Sequence, residues 1–372
     1  MAAVLLQSIR LDSVRNLAPL AFEPGPRFNV FHGNNGQGKT NLLEAIYVIG
    51  TLRSFRTRRL AELIRFGSEE AHLQAVVVRD QLERDCAVTL KPHAREVRLD
   101  GKPVRPILHY VGQFDVVLFS PEDLLLVRRG PSDRRRFLDR AVFGFSTAYL
   151  QEARTYEHVL KNRNAFLREL RASSRLGPRD SELLSVFDEQ LAQWGARVVT
   201  SRCAFLDAIR PRFQQAFGRI SDSAMRADIV YLSQDRPMAG LSAAELLGAL
   251  RKRRPVDLIR RNTTLGPHHH DFGFSLEDRS AAAYASQGQM RALLLAWKTA
   301  EMDLLADLHG EPPILLLDDV SSELDQERNR YLFDLLSSHT NQCFISTTHP
   351  KHVALADNRI DYRVAAGSLS LE

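Results

Sequence analysis

One short stretch constrains this chain more than any other feature: Gly33-Asn34-Asn35-Gly36-Gln37-Gly38-Lys39-Thr40, followed by Asn41. It satisfies G-x-x-x-x-G-K-[ST], a phosphate-binding loop. The loop lies between an apolar run, Phe28 to Phe31, and a helical pattern of Leu42, Leu43, Ile46 and Ile49 that ends at Gly50. Glycines let backbone N–H groups turn inward onto phosphate oxygens, and the helix that follows points its positive end at them. Lys39 is placed to bridge the β- and γ-phosphates of a nucleotide, and the Thr40 hydroxyl to ligate Mg2+. An accidental glycine turn is the bland alternative, which the strand-then-helix setting disfavours. The core is expected to be α/β.

A second element completes the site. Pro313-Ile314-Leu315-Leu316-Leu317-Asp318-Asp319 reads as a buried strand that ends in carboxylates. Asp318 would stand at the carboxyl edge of the sheet as a metal-binding carboxylate, and Asp319 would orient or deprotonate the attacking water. Alone, such a run is often a core strand meeting a turn, but SSELD directly behind it strengthens the functional reading.

The chain has 372 residues, about two domains at about 150 residues each. With 44% hydrophobic and 26% charged residues it has a soluble globular composition. The longest apolar run, Ile314 to Leu317, is far short of the ~20 residues of a membrane span. Arg10 and Asp12 come too early for a secretory signal core. Cys86, Cys203 and Cys343 are widely spaced with no CxxC pair, so a reducing cytoplasm is expected. Strand patterns fill the first thirty residues, with Leu5, Ile9 and Leu11 on one side, and return as a β-rich arm from about 70 to 119. From Pro121 onward helical periodicity dominates: Leu184, Phe187, Leu191, Trp194 and Val198 form one seam, and Tyr156, Leu160, Leu167 and Leu170 another. These seams are too short for a long coiled coil. Strand texture resumes with DFGFSLED and QCFISTTH. An α/β domain in two sequence halves, 1–120 and 255–372, is therefore expected around an inserted helical domain, 121–254.

Ala285-Ser286-Gln287-Gly288-Gln289 opens an amphipathic helix that continues through Leu293, Leu294 and Trp297. Ser286 with Gln289 is a capping box, and a helix start with a serine hydroxyl and a glycine amide is also an anion site. With the other motifs, it resembles the signature of ABC-type ATPases. That resemblance implies that Ser286, Gln287, Gly288 and Gln289 of one subunit meet the γ-phosphate held by the phosphate loop of another. Ser322 to Asp325 resembles the D-loop of those enzymes, and His349 their switch histidine. Lys39 and Ser286 lie far apart, as in the heads of SMC-like DNA-repair ATPases, whereas transporter ATPases use a shorter interval.

Pro121 to Asp139, PEDLLLVRRGPSDRRRFLD, is similar to the RecF family pattern, and Leu315 to Asp325, LLLDDVSSELD, to that family's second pattern. LRSFRT and GNNGQGKTNLLEAI are also RecF-like, so the resemblance spans the whole chain in order. It implies an ABC-type ATPase head with a β-rich arm and an inserted helical domain. It implies a weak ATPase that uses ATP and Mg2+, with Lys39, Asp319 and His349 catalytic, and an ATP-dependent homodimer. It further implies binding to double-stranded or gapped DNA, cooperation with RecR and RecO, and loading of RecA. Hydrolysis is expected to be slow, since Asp319 is one methylene shorter than the glutamate usual in ABC heads. Two departures stand out. Gly266-Pro267-His268-His269-His270-Asp271 replaces the GPHRDD common in the family. The Q-loop glutamine has Gln113 as its nearest candidate, although Ser120 stands about where that residue would align.

His268 and His270 would share a face of a strand, but two ligands without a third make a poor metal site, and a strand-entry turn is expected instead. Fifty basic against 45 acidic residues give a mild +5, so the distribution carries the nucleic-acid argument. Arg53, Arg56, Arg58 and Arg59 follow the first helix, and Arg56 could instead approach the nucleotide. Arg128 and Arg129, with Arg134, Arg135, Arg136 and Arg140, fill the RecF pattern. Arg251, Lys252, Arg253 and Arg254, then Arg260 and Arg261, form a third cluster. Few aromatics interleave them, which favours phosphate-backbone contact over base stacking. The rival reading is an ATPase that energises a membrane transporter. A metal-dependent hydrolase built on the histidine run is a distant third.

Overall fold

The computed structural model describes residues 4–79, 81–170, 177–221, 225–233, 236–319, 324–339, 342–355 and 357–372. They form two compact units, one of residues 1–125, 215–223 and 287–372, the other of 126–214 and 224–286.

The first unit begins with β1 (Leu5–Asp12), β2 (Leu20–Phe22) and β3 (Phe28–His32), then α1 (Lys39–Thr51). Next come β4 (Ala71–Arg79), β5 (Leu82–Leu90), β6 (Arg95–Leu99), β7 (Lys102–Pro103), β8 (Val116–Phe119) and the short α2 (Pro121–Leu124). Strands β2-β1-β4-β5-β6-β7 make an antiparallel sheet, the β-rich arm. Its strands alternate buried and solvated residues because only one face meets the core. A register shift between Leu6 and Ser8 changes the phase of β1, so Leu6, Ile9 and Leu11 are buried and Leu5 is not.

The second unit contains α3 (Pro131–Phe145), α4 (Thr147–Glu169) and most of α5 (Pro178–Ile220). It continues with β9 (Ala227–Ser233), β10 (Arg236–Pro237), α6 (Ala243–Arg260), β11 (Asp271–Leu276), β12 (Arg279–Ser280) and α7 (Ala281–Tyr284). Beside its helices it carries a four-stranded sheet, β10-β9-β11-β12. This differs from the expected placement of DFGFSLED: that segment is β11, and it pairs antiparallel with β9 in the second unit rather than joining the α/β core. Phe272 of β11 stacks on Phe137 of α3 at 6.2 Å, and Phe274 lies 5.5 Å from Phe213 of α5, so helices cover the sheet's apolar face.

The chain returns to the first unit with α8 (Gln287–His309), β13 (Ile314–Asp318), α9 (Gln326–His339), β14 (Cys343–Thr347), β15 (Arg359–Ala365) and β16 (Ser368–Leu371). These complete a sheet of order β16-β15-β3-β14-β13-β8, parallel except for the β16 edge. Every residue of β3, β13 and β14 is buried, as expected for strands covered on both faces. Helix α1 packs on β13, β14 and β8 and also on β4 and β5, which explains why it is apolar nearly all round. Gly50 does not end it: the helix runs to Thr51, and a Cβ at Gly50 would lie 2.7 Å from Val116 Cγ2. That glycine permits close packing, and the left-handed Leu52 closes the helix.

Candidate nucleotide site

Parallel topology brings the phosphate loop and the aspartate pair together. The loop leaves the carboxyl end of β3, and β14 separates β3 from β13, so the three strand ends line one crevice. Gly33, Gly36 and Gly38 have φ of +146, +80 and +115, values that side-chain-bearing residues rarely adopt. Asn34, Asn35 and Gly36 are exposed, and a Cβ at Gly36 would meet nothing within 4 Å. The loop therefore presents an open cradle. Lys39, the first residue of α1, donates to Gly33 O at 2.6 Å and Asn34 O at 2.9 Å. Burial lowers its pKa, and the neighbouring carboxylates of Asp319 and then Asp318 oppose that shift.

Thr40 Oγ1 donates to Asp318 Oδ1 at 2.7 Å, and Ser346 Oγ donates to the same oxygen at 2.6 Å. The Asp319 amide donates to Ser346 O at 3.0 Å and to Ser346 Oγ at 3.1 Å, with Asp319 at φ +48. A hydroxyl and carboxylates converging at the foot of the loop are the hard oxygen donors that Mg2+ prefers. His349 lies just past β14 at the same edge, where it is exposed and its Nδ1 accepts from the Lys351 amide at 3.2 Å.

The loop has supports that the motif did not announce. Gln37 Oε1 accepts from Ala366 N at 2.6 Å and Gln37 O from Gly367 N at 3.0 Å, so the turn of the β15–β16 hairpin rests on it. Asn41 Nδ2 donates to Asn16 Oδ1 at 2.6 Å, and Asn16 Nδ2 to Gly36 O at 3.0 Å. Glu44, fully buried on α1, accepts from Arg15 Nε at 2.6 Å and Arg15 Nη2 at 2.9 Å, and from Ser54. The usable signal was a carboxylate inside LLEAI, where the two residues on either side are apolar.

Arg56 Nη1 donates to Asn41 Oδ1 at 2.6 Å and to Glu44 Oε2 at 3.3 Å, which places its guanidinium beside the phosphate loop. Gln113 is not brought to the site. It precedes β8, donates to His109 O, and stands at the amino end of that strand, while the crevice lies at the carboxyl end. Ser120, at that carboxyl end, is buried and caps α2 together with Asp123. Helix α8 starts at Gln287, directly after the exposed Ser286, so Gly288 and Gln289 fall in its first turn. A Cβ on Gly288 would come 3.5 Å from the guanidinium of Arg328, which is ion-paired with Asp325. Ser322 lies outside the described residues.

Several basic candidates prove to be scaffold in the second unit. Arg134 Nε donates to Asp271 Oδ1 at 2.9 Å and Arg135 Nη1 to His270 O at 2.8 Å, so α3 is bolted to the 266–271 turn. Arg254 Nε reaches Asp188 Oδ2 at 2.6 Å and its Nη2 reaches Ser185 Oγ at 2.9 Å, so this half-buried arginine is paired within the second unit. Asp188 also accepts from the fully buried Arg163, whose Nη1 donates to Asp257 and Thr263 at 2.8 Å. Arg251 forms an exposed pair with Glu189 at 3.2 Å, and Lys252 and Arg253 are exposed. Arg128 is exposed, with Nη2 3.5 Å from Ala285 O; Arg129 is half-buried, its carbonyl accepting from Arg134. Arg53 is half-buried, whereas Arg58 and Arg59 are exposed.

The histidine run is a packed turn. His268 Nδ1 meets the Tyr156 hydroxyl and His270 Nδ1 that of Tyr231. Burial, aided by His269, pulls the His268 pKa down to about 3; burial and Arg202 pull that of His270 down to about 4. Among the described residues no cluster of three or more His, Cys, Asp or Glu is arranged to hold a metal, and no helix is long and apolar enough to cross a membrane.

The chain is similar to known proteins over nearly its whole length. The family model of the RecF/RecN/SMC N-terminal domain matches residues 5–368. The DNA replication and repair protein RecF of Citrifermentans bemidjiense is 40% identical over 370 residues, 98% of this chain and 99% of its own. That of Myxococcus xanthus is 41% identical over 374 residues, 98% of this chain and 97% of its own. The chain belongs to the RecF family. A solved structure described as the recombination mediator RecF with ATP in the RecFOR pathway aligns at TM-score 0.86 and 31% identity over 100% of both chains. An Smc head domain from Pyrococcus furiosus aligns at TM-score 0.54 and 16% identity, over 100% of this chain and 96% of its own, and shows the shared fold. RecF membership fixes the class as an ABC-type ATPase head with no long coiled coil, and the relatives give no support to the transport alternative.

Proposed function

We propose that this RecF-family chain is an ATP-gated DNA clamp of recombinational repair and replication. One observation carries the reading: Lys39, Thr40, Asp318, Asp319 and Ser346 converge on one crevice beneath an open glycine cradle. The loop amides and Lys39 hold the β- and γ-phosphates, and Thr40 with Asp318 would hold Mg2+. When bound, that ion neutralises charge on the phosphate oxygens. Asp319 orients water for attack on the γ-phosphorus, the bond to the β-bridging oxygen breaks, and ADP and phosphate leave. His349, at the same edge, would contact the γ-phosphate.

Ser286, Gln287, Gly288 and Gln289 of a second copy close over the triphosphate, and Asp325 lies at the same seam. ATP then favours the dimer because it binds that state better than the monomer. Arg58, Arg59, Arg128, Arg251, Lys252 and Arg253 are among the exposed cations available to DNA phosphates. The solved relative is described as a recombination mediator in the RecFOR pathway, which supports RecR and RecO as partners; gapped DNA as substrate and RecA loading downstream complete the reading. Sedimentation of the full chain with ATP, with and without gapped duplex, tests this. ATP-dependent dimers retained on DNA are expected; nucleotide-saturated monomers, or DNA binding indifferent to ATP, would reject it.

A further inference from the structure

The segment after α1 ends in a turn whose backbone is held firmly. Val14 bridges Ile64, Arg15 N donates to Leu63 O at 2.7 Å and Arg65 N to Ser13 O at 2.8 Å. Ser68 N donates back to Arg65 O at 3.0 Å, closing a four-residue turn with Gly67 at φ +86 in its third position. A positive φ there is the type II pattern, for which glycine is the natural residue. The second position of this turn holds Phe66, whose exposure is 103%, above that of any other large apolar residue among those described; Ile259 follows at 83%.

Burying a phenylalanine is worth about 1.5–3 kcal/mol, so a mobile segment would fold it inward. The pinned turn prevents that. Isolated surface apolar residues are ordinary, but the company of this one is not. Arg58 and Arg59 are exposed and Arg65 is half-buried, and among the described residues none of the three guanidinium groups has a hydrogen-bond or ion-pair partner. Of the carboxylates close in sequence, Glu70 is engaged by His72 and Lys91, while Glu62, which accepts from the Thr57 hydroxyl, and Glu69 stand against three arginines. Among the described residues the nearest large exposed apolar side chain along the chain, Leu82, pairs with Arg79 at the far end of β4 from the turn, and Leu60 and Ile64 are partly buried against the core. A large contiguous apolar surface is what marks a protein-partner site. An exposed aromatic directly after Arg65, on a segment that also carries Arg58 and Arg59, suits a nucleobase with its phosphates.

We propose that Phe66 is a stacking platform for an unpaired or terminal base, with Arg58, Arg59 and Arg65 holding the flanking phosphates. Bases within a duplex have both faces covered, so such a platform engages DNA where single strand meets double strand. This deepens the DNA-binding reading above and rests on it.

The test uses the full chain with ATP, gapped duplex, and covalently closed duplex without ends. Phe66→Ala is expected to weaken gapped-DNA binding roughly ten- to a hundredfold and to leave closed-duplex binding unchanged. Phe66→Trp should restore the affinity, and its added tryptophan emission should be quenched by gapped DNA alone. Equal loss on both DNAs would overturn the proposal, as would no loss on either. DNA binding intact in Phe66→Ala, with co-sedimentation of RecR lost, would assign the turn to a protein partner. A parent protein that binds neither DNA would reject the clamp reading itself.

Discussion

Thr40 Oγ1 and Ser346 Oγ donate to one oxygen of Asp318, at 2.7 and 2.6 Å, so that carboxylate joins the phosphate loop to β14 as well as to its own strand. Asp318→Asn keeps the shape but removes the charge and changes the donor pattern. Metal-dependent ATP hydrolysis should fall about ten- to a hundredfold, measured as phosphate release against Mg2+ concentration. An unchanged metal dependence would place the ion elsewhere.

Ser286→Arg puts a long cation at the start of α8 and leaves the phosphate loop untouched. ATP binding to the monomer should survive while ATP-dependent dimers vanish in light scattering. Lys39→Met should remove both, because the charge-assisted contacts to the phosphates go with it.

Arg254 and its exposed neighbours separate scaffold from surface. Replacing Arg251, Lys252 and Arg253 together with Ala should leave the melting curve in place and make the slope of log affinity against log salt shallower by about 2 to 3. Asp188→Ala strips Arg163 and Arg254 of a shared partner in a fully buried site. That should destabilise the chain by about 3–5 kcal/mol, read by urea unfolding.

His309 of α8 donates to Asp115, and this hydrogen bond raises the histidine's pKa above 6.5, with burial opposing and the Asp115 charge assisting. The stabilisation is therefore fully present below the unfolded value, near 6.5, and is lost as pH rises through the higher folded value. His309→Gln should accordingly cost more stability at pH 5.5 than at pH 9; an equal cost at both would show that the pair carries no charge.

The nucleotide site was legible because its residues are consecutive: the loop and the aspartate pair announce both their chemistry and their strand-end positions. What the sequence concealed came from partners distant along the chain. Gln113 looked like a site residue from its type, but the direction of β8 carries it to the wrong end of the sheet. Arg134, Arg135 and Arg254 looked like free positive charge, and only tertiary pairing with Asp271, His270 and Asp188 reveals them as framework. The bulge in β1 and the strand β9 were hidden from periodicity because one shifts its phase and the other lies between the long helical patterns of α5 and α6. Conversely, Phe66 was unremarkable in a list of residue types; its meaning comes from exposure, which no pattern of letters records.

The tip of the last hairpin works as a splint for the glycine loop. A Cβ on Gly367 would sit 2.0 Å from Asn16 O, and one on Gly33 would sit 2.3 Å from Val364 O, so neither position tolerates bulk. Proteolytic nicks, fusions or stiffening changes made there should be felt as altered grip on the triphosphate, although hundreds of residues of chain intervene. Any screen scored by nucleotide retention would find its unexpected hits at this end of the polypeptide.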